Sequence, residues 1–163
     1  MSELGSTRQG DLRTAIVLLQ LGGPDSLGAV EPFIYNLFCS PDIIDLPLAF
    51  LFRKALARKI SRSRAPKVQK YYRYMGGSSP ILRLTRRQAK ALEQALRGHC
   101  DARVVIAMRY WHPLTEETVR TLQEEKIEQV VLLPLFPQFS RSTTGSSVNE
   151  WRRVCARRGY TPR

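Results

Sequence analysis

Three short aliphatic runs constrain the fold of this chain more than anything else in it: residues 14–19 (TAIVLL), 103–108 (RVVIAM) and 129–133 (QVVLL). None of them alternates apolar with polar residues. A strand with one wet face shows that alternation, whereas a strand covered on both faces is apolar throughout. Helical start and stop signals fill the intervals between the runs. Strand and helix in alternation, with uniformly apolar strands, predict an α/β fold: a parallel sheet with helices on both faces.

The helices are read from their punctuation. Ser26, after Gly22-Gly23-Pro24, is placed to cap a helix over 27–38, with Pro32 late in its first turn. Pro47 opens a second helical stretch to about Ile60, and Pro66 suits the first turn of a third, closed by Gly76-Gly77. Thr85 followed by Gln88 is a capping-box pattern and predicts a helix to about Arg97. Thr115 is the expected cap of a helix to Lys126, with Glu116 and Glu117 in its first turn, and Gly145 to Arg158 is the last helix. Residues 1–13 read as a flexible lead-in, and 14–163 as one lobe. An alternation of this kind expects a new strand near 159–163, so the chain reads as the first part of a longer unit.

Composition narrows the function. Apolar residues make up 43% of the 163, too many for a disordered chain. No secretory signal and no run of ~20 apolar residues is visible, so the expected location is the cytoplasm, with contact at most at a membrane surface. Three widely spaced cysteines, Cys39, Cys100 and Cys155, argue against a disulfide framework. The net charge of +12 favours anionic partners, and residues 53–73 hold Lys and Arg with no acid. Nucleic acid is not expected, because no recognition motif or stacking array accompanies the charge. Residues 46–60 (LPLAFLFRKALARKI) place Leu48, Leu51, Phe52, Ala55 and Ile60 on one helical stripe beside Arg and Lys. That pattern fits either a basic amphipathic helix on an anionic membrane or a core-packed helix with a solvated face.

In open parallel sheets, ligands gather beyond the carboxyl ends of the strands. Three segments belong there: residues 21–26 (LGGPDS), 109–113 (RYWHP) and 134–147 (PLFPQFSRSTTGSS). They are rich in glycine, proline, aromatic and hydroxyl residues, the ingredients of a flat-walled pocket with a few polar contacts. The Gly-Gly-Pro segment lacks both G-x-G-x-x-G and the lysine of a phosphate loop. Residues 142–147 precede a helix, where amides and hydroxyls either cap it or hold an anion. Arg62 and Arg64 suit paired carboxylates, and equally a polyanion. His99 and His112 have no partner at metal-ligand spacing, so no metal site is expected.

In combination these segments resemble the ferrochelatase family. The resemblance rests on four blocks in order: Leu21-Gly22-Gly23-Pro24-Asp25-Ser26-Leu27 with Pro32-Phe33 and Asn36-Leu37-Phe38; Pro66-Lys67, Gln69, Tyr72 and Gly76-Gly77-Ser78-Ser79-Pro80-Ile81; Met108-Arg109-Tyr110 with Pro113; and Pro134-Leu135-Phe136-Pro137-Gln138-Phe139-Ser140 followed by residues 142–147. It implies a chelatase-like fold of two similar lobes around a porphyrin cleft, of which this chain is the first. It implies insertion of ferrous iron into a porphyrin in heme biosynthesis, with the alternative of a non-catalytic porphyrin-binding module or a half-enzyme that needs a separate second lobe. By position it assigns porphyrin contacts to Leu21, Arg64, Tyr72, Ser79 and Phe136, and the polar end of the pocket to Arg109 and Tyr110. The segment around 47–60 would form a lip of the cleft, near a membrane surface. The resemblance expects the metal-site His and its Glu beyond Arg163, so no catalytic residue is assigned within the chain and the fragment alone is expected to be inactive. Arg141 stands where animal members carry an iron–sulfur cysteine, so no cluster and no other cofactor is expected here.

Overall fold

A computed structural model describes residues 13–43 and 49–163. Among them, three strands form one parallel sheet in the order β2-β1-β3: β1 (Thr14–Gln20), β2 (Ala102–Met108) and β3 (Gln129–Pro134). The lead-in expected over 1–13 lies, but for Arg13, outside the described residues, as does the start of the amphipathic stretch at 46–48. The registers run Val17 opposite Val105 on one side and opposite Leu132 on the other. Side chains alternate across a strand. Ala15, Val17, Leu19, Val105, Ala107, Val130 and Leu132 therefore share one face, and all belong to the main core.

Two helices cover that face, α4 (Thr115–Glu124) and α5 (Ser146–Arg158). They bring Val119, Leu122, Trp151 and Val154 into the core, each at most 5% exposed. Glu116 of α4 ties to Arg157 and Arg158 of α5 at the surface. Exposed ion pairs of this kind contribute ~0–1 kcal/mol, whereas burying one Leu or Val contributes ~1.5–3 kcal/mol, so the apolar layer does most of the holding.

On the opposite side α3 (Ile81–Leu96) packs against β2, burying Thr85 and Ala89. The capping box expected at Thr85 is not there. Pro80 occupies the N-cap, and Thr85 lies one turn inside the helix. Its hydroxyl donates to the Ile81 carbonyl at 2.8 Å, which satisfies a buried hydroxyl without ending the helix.

The two helices expected before and after Pro66 are one helix, α2 (Ala49–Tyr74), of 26 residues with Pro66 inside it. It packs against α1 (Val30–Cys39). The contact stripe is Ala57, Ser61 and Ala65, each at most 3% exposed. Small residues four apart let two helix backbones lie close. The apolar stripe expected at Phe52 and Ala55 is not the packed face: both are exposed, Phe52 by 68%. Helix α1 starts at Val30, so Pro32 falls in the first turn, where its missing N–H costs nothing. Ser26 still caps locally, its Oγ accepting from the Ala29 amide at 3.2 Å. Thr115 is the first residue of α4 and Leu114 its N-cap, where the Glu117 carboxylate accepts from the Leu114 amide.

Candidate functional site

Strand β1 lies in the middle of the sheet, and the chain moves to opposite sides of it for β2 and β3. The crevice beyond the carboxyl ends of such strands is where an open α/β sheet receives ligands. The loop after β1 begins with Leu21, half-buried, whose carbonyl accepts from the Tyr110 amide at 2.9 Å. Gly22 then takes φ +88°, and a Cβ there would meet Trp111 at 3.1 Å. Gly23 approaches Ser79 so closely that a Cβ would lie 2.5 Å from its Oγ and 2.7 Å from its Cβ. Ser79 is held on this loop by its amide, which donates to the Pro24 carbonyl at 2.7 Å. Gly22 thus lets the end of β2 lie close on the β1 loop, and Gly23 lets the segment after α2 do so.

The next wall is the α1–α2 pair. Tyr72 packs with Phe33, Phe38 and Val68 around Val30, Ile34 and Ala65, and burial pushes its hydroxyl pKa up. Arg64 is exposed and lies over the Phe38 ring, 5.3 Å from the ring centre. Contacts from α1 attach this wall to the strand-end loops. Asn36 of α1 donates to the Tyr110 carbonyl at 3.2 Å, and Phe33 meets Trp111 edge-on with ring centres 6.4 Å apart.

Arg109 and Tyr110, at the end of β2, turn inward. The Arg109 side chain is 9% exposed. Its Nε donates to Ser146 Oγ at 2.9 Å, and its Nη2 reaches Ser40 Oγ at 3.0 Å, Asp42 at 3.3 Å and Glu150 at 3.5 Å. Tyr110 is 1% exposed and pairs its hydroxyl with Ser146 at 2.9 Å. Asp42 closes the cluster, accepting from Arg153 at 2.9 Å and from Asn149 at 3.3 Å. Burial alone would raise the Asp42 pKa. The bonds from Asn149, Arg153 and Arg109 outweigh it and hold the carboxyl below the usual carboxylate range. A hollow of about 330 Å³ lined by Asn36, Ser40, Arg109, Tyr110 and Glu150 opens beside this cluster.

The loop after β3 places Phe136, half-buried, two residues past the strand. Leu135 is fastened to β1, its amide donating to the Leu19 carbonyl at 3.0 Å. Residues Arg141–Gly145 form a π-helical turn whose Ser140 cap accepts from the Thr143 amide. Leu21 therefore lies at the start of the β1 loop and Ser79 against Gly23 and Pro24 of the same loop, Tyr72 and Arg64 at the α1–α2 wall, Arg109 and Tyr110 at the polar cluster joined to α5, and Phe136 past β3. Asp42, Ser40, Asn149, Glu150 and Arg153 were not singled out by sequence. The one sequence cue was a Ser-Pro-Asp turn at 40–42. His112 binds Glu117, Nδ1 to carboxylate at 2.9 Å. Among the described residues, no group of three or more His, Cys, Asp or Glu side chains converges as a metal site would require.

The ferrochelatase family model matches residues 13–163. Curated relatives named ferrochelatase include that of Sulfurihydrogenibium sp. (strain YO3AOP1), 52% identical over 141 residues, which are 86% of this chain and 41% of the relative. The relative from Geotalea uraniireducens (strain Rf4) is 50% identical over 90% of the chain and 45% of its own length. That from Aquifex aeolicus (strain VF5) is 50% identical over 87% of the chain and 44% of its own length. The chain thus spans less than half the length of these relatives.

Proposed function

The chain belongs to the ferrochelatase family, and on that premise we propose that it supplies the porphyrin-gripping part of an enzyme that inserts ferrous iron into a porphyrin during heme biosynthesis. Such insertion needs three things. The macrocycle is held and bent so that its nitrogens point out of plane, its inner N–H protons pass to a base, and a dehydrated metal ion reaches the exposed face. We assign the first to this chain and the second and third to groups outside it.

The observation that carries the assignment is the seating of Ser79 on the β1 loop through Gly23 and Pro24. It gathers the end of α2 and Leu21 at the carboxyl end of the sheet, beside the aromatic wall of Phe33, Phe38 and Tyr72. In this reading Leu21, Tyr72 and Phe136 offer apolar surface to the ring, and Arg64 and Ser79 take its propionates or edge. Arg109 and Tyr110, enclosed by protein partners, hold the polar end of the pocket in shape. Bending a bound ring draws ~1–5 kcal/mol from such remote contacts. No iron–sulfur cluster is assigned, since Arg141 stands at the position that would provide its cysteine.

Among the described residues no helix is long and apolar enough to cross a membrane. A peripheral contact is part of the proposal: Phe52, exposed among Lys54, Arg58 and Lys59 on α2, suits an anionic lipid surface.

The test is an absorbance titration of the purified chain with porphyrin, followed by addition of ferrous iron. The expected outcome is a saturable shift of the porphyrin band with no metalloporphyrin formed. Turnover by the chain alone would overturn the division of labour, and absence of any porphyrin uptake would overturn the gripping role.

A further inference from the structure

We propose that Asp42 is a positioning residue, a clamp whose carboxylate fixes the exit of α1 onto the β2-end loop and α5 and so sets how far the α1–α2 wall stands from the strand-end loops. The inference rests on the porphyrin-gripping reading for its purpose, and on geometry alone for its existence.

Asp42 lies three residues past the end of α1, at the head of the connection to α2. It is bonded to residues 67, 107 and 111 positions away: Arg109 at 3.3 Å, Asn149 at 3.3 Å and Arg153 at 2.9 Å. Its side chain is 15% exposed and that of Arg109 9%. Charge pairs so enclosed are screened weakly, and removing one partner leaves the other buried and under-compensated. The surface pairs of α4 and α5 carry no such consequence.

The position of the clamp separates it from an ordinary stability contact. Helix α5 does not depend on it, because Trp151, Val154 and Cys155 seat α5 in the main core. The sheet does not depend on it either. The α1–α2 pair forms its own small cluster, apart from that core. Among the described residues it reaches the strand-end loops through Asn36 to Tyr110, Phe33 to Trp111, Ser40 to Arg109 at 3.0 Å, and Gln69 to the Leu27 carbonyl at 3.0 Å. Asp42 is the charged member of that short set. Loss of its carboxylate is therefore expected to loosen one wall of the crevice while leaving the α4–α5 side intact.

The test compares Asp42→Asn and Asp42→Glu with the unaltered chain by amide hydrogen exchange and by porphyrin titration. The clamp predicts that Asp42→Asn accelerates exchange in α1 and in residues 49–60 by about tenfold, the loss of ~1.4 kcal/mol of local opening energy, while β1 and α4 keep their rates. Asp42→Glu, which restores a carboxylate, recovers at least part of the protection. Uniform acceleration that includes β1 and α4, or no acceleration, overturns the clamp. Should Asp42→Asn fail to fold, Arg153→Gln removes one bond at the solvent side and is read against the same criteria. The titration then asks what the clamp is for. Affinity weakened about tenfold with local loosening supports wall positioning, and unchanged affinity with local loosening overturns it. If the unaltered chain takes up no porphyrin, the gripping role falls and the clamp is judged on exchange alone.

Discussion

Gly23 is where a single atom decides the shape of the candidate site. An added Cβ would meet both Oγ and Cβ of Ser79, at 2.5 and 2.7 Å. Gly23→Ala is therefore expected to cost ~1–3 kcal/mol, the usual price of overpacking, read by urea unfolding. Because the Cβ contact remains, Ser79→Ala should not rescue it, whereas Ser79→Gly should. Rescue by Ser79→Ala would place the strain elsewhere. Two titrating groups give opposite pH limits. Asp42 is held below its ordinary pKa, so its contribution is present above the unfolded value of ~3.9 and disappears as pH falls through the lower folded value. Burial pushes Cys155 up to about 11. Its contribution is complete below the unfolded value of ~8.5 and is lost as pH rises from there toward the folded value. Cys155→Ala should flatten the alkaline part of a melting-temperature profile, and Asp42→Asn the acid part. An alkaline slope unchanged by Cys155→Ala would assign it to another group, Tyr160 first among them, whose burial and proximity to Cys155 raise it to about 12.

At the scale of elements, strands were legible in the sequence and helix ends were not, for identifiable reasons. A strand buried on both faces has few alternatives to aliphatic residues, and each run falls within two residues of its observed ends. Helix punctuation, by contrast, is a local preference that packing overrides. Pro66 reads as a helix start, yet buried Ala57, Ser61 and Ala65 before it and Val68 and Tyr72 after it lie along the α1-facing side and hold one continuous α2. Thr85 reads as a cap, yet it faces the core with its hydroxyl returned to Ile81. The polar cluster of Asp42 and Arg109 was hidden for another reason: no local pattern announces partners more than sixty residues apart. Pro66 is exposed and interrupts one backbone bond of α2. Pro66→Ala is expected to stabilise the chain by ~1–2 kcal/mol, less than the ~3 kcal/mol of a helix-interior proline, because the unfolded chain also gains freedom. Urea unfolding checks it. Destabilisation would mean that the packing of α2 on α1 requires the local bend that proline imposes.

At the scale of the whole molecule, the two sheet faces are unequally covered. On β3, Val130 and Leu132 enter the core beneath α4 and α5, while Val131 and Leu133 on the other face remain 47% and 38% exposed. Helix α3 sits over β2 and leaves that strip open. The outer edge of β3 already accepts backbone partners. The Arg163 amide donates to the Glu128 carbonyl and the Val130 amide to the Arg163 carbonyl, both at 2.9 Å, which is the hydrogen-bond pattern of a parallel ladder. An apolar strip beside a bonding-competent edge is the surface on which sheet proteins associate. The isolated chain should therefore self-associate as its concentration rises, despite a net charge of +12 that opposes it. Val131→Lys adds charge at a position already in water, so its effect on folding stability should stay within ~0.5 kcal/mol, while sedimentation velocity should move toward the monomer. A charge added elsewhere, such as Gln94→Lys at an exposed position of α3, controls for simple repulsion. If both variants shift the distribution equally, net charge governs association and the β3 strip does not. If only Val131→Lys does so, the strip is the surface through which this chain meets other polypeptide.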